Sequence, residues 1–456
     1  MSCIARKVRS LERLPENFTV EALAAVLPQA WVQDAVAASG CQSRRRRSLP
    51  AVLTVWMVAL LGLFRRLSYV NLLEMLFESG RSQGLWKGAP PCSSALTKAR
   101  DRVGCAPLRR LYERSAREWQ SQTAGRDFHG RRVLAIDGST MKVPDTPENR
   151  AYFGAPASGR GRAGYPQLRL VGLRDVGTRL CRAMRFGPYS SGEMTLARDL
   201  IADVEPGSVV LLDRNFGSFS LMWDLCEKAV DFVIRIQTGY FIHSRVVEQL
   251  GPGDAIVEIT PNRDLRRSRR DLPQTWLVRE ITYRAAQAKE PVRLFTSLLL
   301  VEEISRDELI ALYPDRWEEE TGYDELKTHL CSCTTVNRPV VLRSKLPHRI
   351  EQELYGLLIA YNAVRITIAL AAAVVPCPPR RVSFTAALER IREAVRDMMQ
   401  ASALRLVERY HQLLTAIGRV LVPLRPNRSN PREVKIKMSN YPLKRPAPSQ
   451  SPRYYA

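Results

Sequence analysis

A charged segment between residues 313 and 327 carries four chemically distinct side chains at helical spacing. They are Tyr313, Arg316, Glu320 and Lys327. On a wheel of about 100° per residue, all four fall within about 60° of one another. Glu318 and Glu319 fall on other faces, so the wheel singles out Glu320 among three consecutive glutamates. Because an Arg–Glu pair four residues apart is usually a solvated surface pair, the segment needs partners elsewhere in the chain before it predicts chemistry.

Two aspartates upstream supply candidate partners. Asp137 interrupts the apolar run Val133–Val143, where a carboxylate needs a cation, several hydrogen bonds or a metal ion. Asp213 follows the apolar run 208–212, and sites in open α/β sheets lie at such carboxyl ends of strands. Together with Glu320, these residues offer three hard oxygen donors, which suit Mg²⁺ or Mn²⁺.

Three carboxylates of this kind predict phosphodiester chemistry. Two divalent ions about 3.5–4 Å apart activate a water or a 3′-hydroxyl and stabilise the leaving oxygen. On this hypothesis Arg316 binds phosphate as a flat fork and Lys327 as a point charge.

The charge balance favours a polyanionic partner. The 456 residues contain 69 Lys and Arg against 46 Asp and Glu, a net charge of +23. Binding to nucleic acid by counterion release would then depend strongly on salt. A membrane is the alternative, but the most apolar stretch noted, Leu49–Phe64, is shorter than a span, and Met1–Leu14 has no apolar signal core. We therefore expect an intracellular protein.

The cysteines predict no covalent framework. Their number, nine, is odd, and they are scattered along the chain. The close pair Cys331 and Cys333 lacks the second pair or the histidines of a zinc site. We interpret them as core or incidental thiols.

The amino-terminal region, residues 1 to about 125, has helical patterns. Short helices are predicted at Ser93–Arg102 and near Leu108–Trp119, on either side of Gly104, as in a helix-turn-helix unit. The run Arg44–Arg47 is equally consistent with phosphate contact and with solvated charge.

From Arg131 the pattern predicts three strands, a helix, a strand, a helix and a strand. The strands are Val133–Val143, Gln167–Leu173, Leu180–Phe186, 208–212 and Phe232–Ile236, and the helices are Glu193–Val204 and Ser218–Ala229. An inserted block at about 239–303 is predicted to hold strands Ala255–Thr260, Trp276–Tyr283 and Val292–Val301 around a basic turn, Arg263–Arg270. Ser305 and Glu308 match a capping box, and long helices are predicted at 348–375 and 383–416.

The chain resembles the bacterial cut-and-paste DDE transposases of the insertion-element-4 group. The resemblance depends on Asp137 in Ile-Asp-Gly-Ser, on Asp213 in Leu-Asp-Arg-Asn-Phe and on the signature Tyr-x2-Arg-x3-Glu-x6-Lys. It extends to the amino-terminal helices and to Leu342–Lys345. It implies an α/β, RNase H-like (retroviral-integrase-like) catalytic core with a β-rich insertion, a helical amino-terminal domain and a helical carboxy-terminal region. The expected divisions are 1–125, 126–345 with the insertion at 239–303, 346–424, and a basic, proline-rich tail at 425–456.

The resemblance also implies roles for the site residues. Asp137, Asp213 and Glu320 would be catalytic and would bind two divalent cations, Mg²⁺ or Mn²⁺. Tyr313, Arg316 and Lys327 would contact the transposon end. The implied activity is binding of terminal inverted repeats, strand cleavage and strand transfer into target DNA, by a homodimer in the bacterial cytoplasm at the nucleoid.

Three alternatives accompany this interpretation. Some relatives flip a base onto a tryptophan of the insertion, for which Trp276 is the candidate, although a buried strand tryptophan is simpler. A transposase-derived, catalytically inactive DNA-binding regulator is the second, and the intact acids argue against it. An RNase H-fold exonuclease is the third; it would need Asp-x-Glu on the first strand, where this chain has Asp137-Gly138-Ser139.

Overall fold

A computed structural model describes most of the chain. The described residues are 27–43, 49–82, 90–123, 125–156, 164–237, 244–284, 290–331, 342–398 and 403–423. The run Arg44–Arg47 and the tail from Arg425 lie outside them.

Five described helices precede the sheet. They are α1 Gln29–Ala38, α2 Ala51–Leu63, α3 Tyr69–Ser82, α4 Ser93–Val103 and α5 Ala106–Ser121. The helices predicted on either side of Gly104 are confirmed, and Gly104 takes the positive φ of +68° that ends α4. Twelve of the thirteen residues of α2 are buried, so this helix lies inside the protein.

The described strands form one large mixed sheet. The strands are β1 Asp127–Phe128, β2 Arg131–Lys142, β3 Gln167–Asp175, β4 Cys181–Pro188, β5 Val209–Leu212, β6 Asp231–Arg235, β7 Arg245–Gly251, β8 Asp254–Ile259, β9 Trp276–Tyr283 and β10 Val292–Thr296. Their order is β4-β3-β2-β5-β6-β10-β9-β8-β7, with β1 beside β2. β2, β3 and β4 are antiparallel neighbours, whereas β2, β5 and β6 are parallel.

Three described α-helices lie between β2 and β6, and the two that follow β4 and β5 were predicted. α6 Pro147–Phe153 follows β2, α7 Glu193–Ile201 follows β4, and α8 Phe219–Glu227 follows β5. The short helix α6 was not predicted; it begins after Thr146, whose hydroxyl accepts a hydrogen bond from the Asn149 amide.

The inserted block continues the sheet, because β10 pairs with β6. The predicted basic turn is instead a short helix, α9 Arg263–Ser268, capped by Asn262. β7 was missed because five of its seven residues are exposed, which removes the alternation of a half-buried strand. β10 ends at Thr296 and not at Val301, since the Thr296 hydroxyl bonds the Phe232 carbonyl and the Leu298 amide and turns the chain out of the ladder.

A helical layer follows the insertion. It contains α10 Arg306–Leu312, a 3₁₀ turn Tyr313–Arg316, α11 Trp317–Asp324, a π turn Glu325–Leu330, α12 Pro347–Val374, a 3₁₀ turn Pro379–Arg381, α13 Phe384–Met398 and α14 Ala403–Gly418. The capping box of Ser305 and Glu308 is confirmed. The single helix predicted at 383–416 is wrong: α13 and α14 pack against each other, so both reach α12.

α12 is the central helix of this layer and packs on α2 and α5. No membrane-spanning segment was predicted, yet α12 alone among the described helices is long and apolar enough to cross a membrane. Since 78% of its most apolar window is buried in the protein, it has the environment of a core helix. The crossing with α2 occurs at two glycines: a Cβ on Gly62 would lie 2.5 Å from the Gly356 carbonyl oxygen.

Candidate active site

The two aspartates lie side by side where β2 and β5 run parallel. Ile136 is the register partner of Leu212, and Asp137 and Asp213 each follow one of these residues. Both aspartates come two residues after members of the same core cluster, Ala135 and Leu211. Because side chains alternate along a strand, both carboxylates point to the face that this cluster covers.

The signature segment brings Glu320 to the same place. Arg316 is 7% exposed and lies between two acids: its guanidinium nitrogens are 3.3 Å from Asp137 Oδ2 and 3.2 Å from Glu320 Oε1. The structure therefore brings together three of the residues that the sequence singled out. The segment is helical throughout, but in 3₁₀, α and π turns in succession and not as the single α-helix that was predicted.

Tyr313 and Lys327 flank these acids with partners of their own. The Tyr313 hydroxyl donates to the Leu212 carbonyl at 3.2 Å, and burial raises the pKa of this phenol to about 12. Lys327 Nζ donates to Ser139 Oγ at 3.0 Å, two residues beyond Asp137 on β2. Burial lowers the pKa of the Lys327 ammonium. The phenol thus supports the end of β5, while the ammonium extends the site along β2.

Arg235 is a further cation at this edge, and it was not among the predicted site residues. Ile234 is the register partner of Leu212, so Arg235 at the end of β6 stands level with Asp213. It comes two residues after Val233 and shares the face of the two aspartates. Arg235 is half-buried, and no described carboxylate forms an ion pair with it. The signal was present, a charge at the end of an apolar strand, but only the strand order places it beside Asp213.

The electrostatics of the acids favour a cation. Burial raises the pKa of Asp137 to about 6, and the charges of Asp213 and Glu320 act in the same direction. Three oxygen donors without sulfur or imidazole fit a hard divalent ion. In the described residues, however, no three acid, histidine or cysteine side chains lie close enough to hold a metal ion, and the Arg316 guanidinium stands between two of the acids. A metal ion held jointly by Asp137 and Glu320 would therefore have to displace the Arg316 guanidinium.

Two further residues from the sequence analysis, Trp276 and Arg100, make contacts inside the protein. Trp276, which is half-buried at the start of β9, packs edge-on or tilted against Phe219, Trp223 and Phe232, with ring centroids 5.4–5.8 Å apart. In the helix-turn-helix candidate, Arg100 is 4% exposed and donates inward to residues of α12 and its approach, so this arginine is not available to DNA. The seven described cysteines form no disulfide with one another.

Comparison with known proteins identifies the class. The family model for the insertion element 4 transposase N-terminal region matches residues 17–113, and the model for the transposase DDE domain matches residues 128–363. These matches define a DDE transposase, an enzyme that uses divalent metal to cleave DNA and transfer its strands.

Relatives extend the match over nearly the whole chain. Transposase InsG for insertion sequence element IS4 of Escherichia coli strain K12 is 30% identical over 422 residues, which cover 91% of this chain and 92% of InsG. The InsZ protein of the same organism is 33% identical over 208 residues, 44% of this chain and 66% of InsZ. The chain belongs to the insertion element 4 family of DDE transposases. The family and the DNA transposase function predicted from the motifs are confirmed.

Among solved structures, a cryo-EM structure of the piggyBac transposase synaptic complex with hairpin DNA aligns over 93% of this chain and 87% of that chain. The TM-score is 0.39 at 13% identity, which is too low to carry an argument about this protein.

Proposed function

We propose that Asp137, Asp213 and Glu320 are the catalytic carboxylates, and that they hold two divalent cations, Mg²⁺ or Mn²⁺, while the enzyme cleaves the ends of an insertion sequence. One observation carries this proposal: two aspartates adjoin at the edge of parallel strands, and a shared arginine links one of them to Glu320. When bound, the ions would activate a water or a 3′-hydroxyl and stabilise the leaving oxygen.

The cations around the acids are suited to the DNA backbone. Arg316 presents a guanidinium fork, which matches a phosphate in two hydrogen bonds. Lys327 lies on one side of the acids along β2, and Arg235 lies on the other at the end of β6. We infer that these three side chains hold phosphates of the transposon end across the site. Tyr313 uses its hydroxyl inside the protein, so a DNA contact by this residue would have to come from its ring.

We propose an RNase H-like, retroviral-integrase-like core. The support is the antiparallel β2, β3 and β4 followed by β5 and β6 parallel to β2, with crossing helices. The proposed divisions remain a helical DNA-binding domain at 1–125, the catalytic domain at 126–345 with its insertion at 239–303, a helical region at 346–424 and a basic tail at 425–456.

The proposed partners are the terminal inverted repeats and the target DNA, bound by a homodimer in the bacterial cytoplasm at the nucleoid. The net charge of +23 supports a polyanionic partner. The acids and the whole signature are intact, so no observation favours the inactive regulator.

The test is Mg²⁺-dependent nicking of a labelled duplex that carries the inverted repeat of the element. Wild type is expected to nick it specifically, whereas Asp213→Asn and Glu320→Gln lose at least about 10³-fold in rate and still bind the duplex. Asp324→Asn is the matched control, because this carboxylate lies on the same helix and is 60% exposed. Nicking by Glu320→Gln at the wild-type rate would contradict the proposal, and binding without nicking by wild type would favour the regulator.

A further inference from the structure

A buried ion pair lies behind the acids. Arg174 at the end of β3 donates from Nε to Glu319 Oε2 on α11 at 2.7 Å, and the two side chains are 1% and 0% exposed. Removing both charges from water costs so much that such a pair rarely stabilises a protein more than an apolar pair of the same size. Its presence beside the catalytic segment therefore needs another explanation.

The Arg174 guanidinium is packed against residues on several sides. It is held between the rings of Tyr323 and Tyr361, 5.6 and 5.0 Å from their centroids. It also lies against Gly322, where an added Cβ would be 2.4 Å from Arg174 Nε. Glycine lowers helix propensity, so its place in α11 is explained by the arginine that packs on it.

Glu319, the acidic member of the pair, packs against β3 next to Asp137. Gly172 is the register partner of Asp137 in the β2–β3 ladder, and a Cβ on it would lie 2.6 Å from Glu319 Oε1. On the next turn of α11, the Tyr323 hydroxyl donates to the Asp137 carbonyl at 3.0 Å. Tyr323 therefore bonds α11 to the Asp137 backbone, while Glu319 packs closely against Gly172 on the neighbouring strand.

We propose that Arg174 and Glu319 are positioning residues for DNA cleavage, which fix the rotation of α11 so that Glu320 faces Asp137. Successive helical residues project about 100° apart, so a fixed direction for Glu319 fixes that of its neighbour Glu320. The length of the Glu319 side chain sets the distance between α11 and β3. This inference rests on the proposed function, because it assigns catalysis to Glu320.

The experiment compares two substitutions of Glu319. Glu319→Asp keeps the charge but is one methylene shorter, so that contact with Arg174 pulls α11 out of place. We expect nicking to slow by roughly 10–100-fold, since misplacement by about 1 Å has effects of that size. We also expect weaker Mn²⁺ binding to the DNA-free protein, measured by calorimetry, with the Kd for the end duplex within about threefold of wild type. Glu319→Gln keeps the length and an acceptor oxygen, so its nicking rate and Mn²⁺ affinity should stay near the wild-type values, as should its Kd for the duplex.

The matched control is the buried pair of Arg65 and Glu353 in the helical layer, with side chains 2% and 8% exposed. Glu353→Asp should lower the Tm without changing nicking or Mn²⁺ affinity. The positioning role is overturned if Glu319→Asp nicks and binds Mn²⁺ like wild type, or if Glu353→Asp impairs both equally. If Glu319→Asp does not fold, Arg174→Lys takes its place, because it keeps the charge but loses the Nε bond and the flat group between the tyrosines.

The two proposals fail differently. Wild type that does not nick, or Glu320→Gln that does, overturns the proposed function. Active wild type, inactive Glu320→Gln and fully active Glu319→Asp overturn only the positioning role.

Discussion

At the scale of single residues, Arg316 neutralises two acids and is also the proposed ligand of a phosphate. In the DNA-free protein its guanidinium reaches Asp137 and Glu320 and offsets their mutual repulsion. On the proposed function, a divalent ion held by the same oxygens would take over that electrostatic role and would leave the guanidinium available for a phosphate. Positive charge would then be present at the site both before and after metal binding.

We therefore predict that Arg316→Gln binds Mn²⁺ more tightly than wild type when DNA is absent, by about tenfold, because a competing cation has been removed. Titration calorimetry measures this directly. Arg109→Gln is the matched control: this exposed arginine of α5 is paired with Glu113, so the Mn²⁺ affinity of that variant should stay within about twofold. Unchanged or weaker Mn²⁺ binding by Arg316→Gln would contradict the competition.

Lys327→Ala is predicted to weaken binding to the transposon end and to make the dependence of log Kd on log salt shallower by about one unit, the effect of one phosphate contact. Binding titrations between low and moderate salt measure the slope. Arg419→Ala, which removes an exposed cation just after α14, tests whether any lost charge has this effect. A slope equal to that of wild type would remove Lys327 from the set of phosphate contacts.

The acids were predictable because each interrupts or ends a strong apolar or helical pattern. Arg235 was not, since its importance depends on β6 lying beside β5, and strand order is not written in local periodicity. For the same reason the partners of two of the three glutamates were not predicted: Glu318 pairs with Arg179 and Glu319 with Arg174. The pair of Arg316 and Glu320 was visible in the sequence because the two residues are four positions apart. The helical wheel separated the directions of the three glutamate side chains but did not identify the residues that they contact.

At the scale of elements, the change from α-helix to π turn at Glu325 directs side chains of the signature segment to two opposite sides. The π turn that follows α11 directs Lys327 to β2, while Glu325 points inward to Arg365 and Arg179. Such π turns are uncommon and often occur at functional sites. The segment thus faces the proposed DNA path on one side and is anchored to the core on the other.

The anchor predicts how stability depends on pH. Burial alone would raise the pKa of Glu325, but Arg365 and Arg179 outweigh it and hold the pKa below its ordinary value. The stabilisation is complete above the unfolded pKa of about 4.3 and is lost as pH falls through the lower folded pKa. Glu325→Gln should therefore lower the free energy of unfolding at pH 7 by about 3 kcal/mol and flatten its decrease below about pH 4.5. Denaturant unfolding from pH 7 to pH 3 measures both; a parallel decrease in variant and wild type would refute the assignment.

The glycine crossing of α2 and α12 predicts a substitution whose effect opposes helix propensity. Gly356→Ala would normally favour a helix by up to about 1 kcal/mol. Here the new Cβ would lie 2.6 Å from the Val58 carbonyl oxygen, so we expect a net loss of about 1–3 kcal/mol in the free energy of unfolding. Gly251→Ala, where no described atom lies within 4 Å, is the control for the change itself. A stabilised Gly356→Ala variant would mean that the two helices separate easily.

At the scale of the whole molecule, the amino-terminal and carboxy-terminal helices share one hydrophobic cluster with the β4 edge of the sheet. Asn362 of α12 exchanges two hydrogen bonds with the backbone of Cys181 on β4, at 2.8 and 2.9 Å. The helices were predictable from the helical spacing of their apolar residues. Their packing against one another was not, because no local pattern links residues about 300 positions apart. The division into domains at residues 125 and 346 stays a prediction.

This shared core has a consequence for synthesis on the ribosome. α2 is apolar on every side and emerges early, but α12, which covers it, is completed 311 residues later. At about 5–20 residues per second, the nascent chain carries an uncovered apolar helix for roughly 15–60 s. A chain that terminates before residue 347 never acquires the cover, and we expect it to aggregate or to be degraded. Messages broken within the gene should therefore yield no soluble amino-terminal fragment able to occupy transposon ends, which pulse labelling of truncated chains would show.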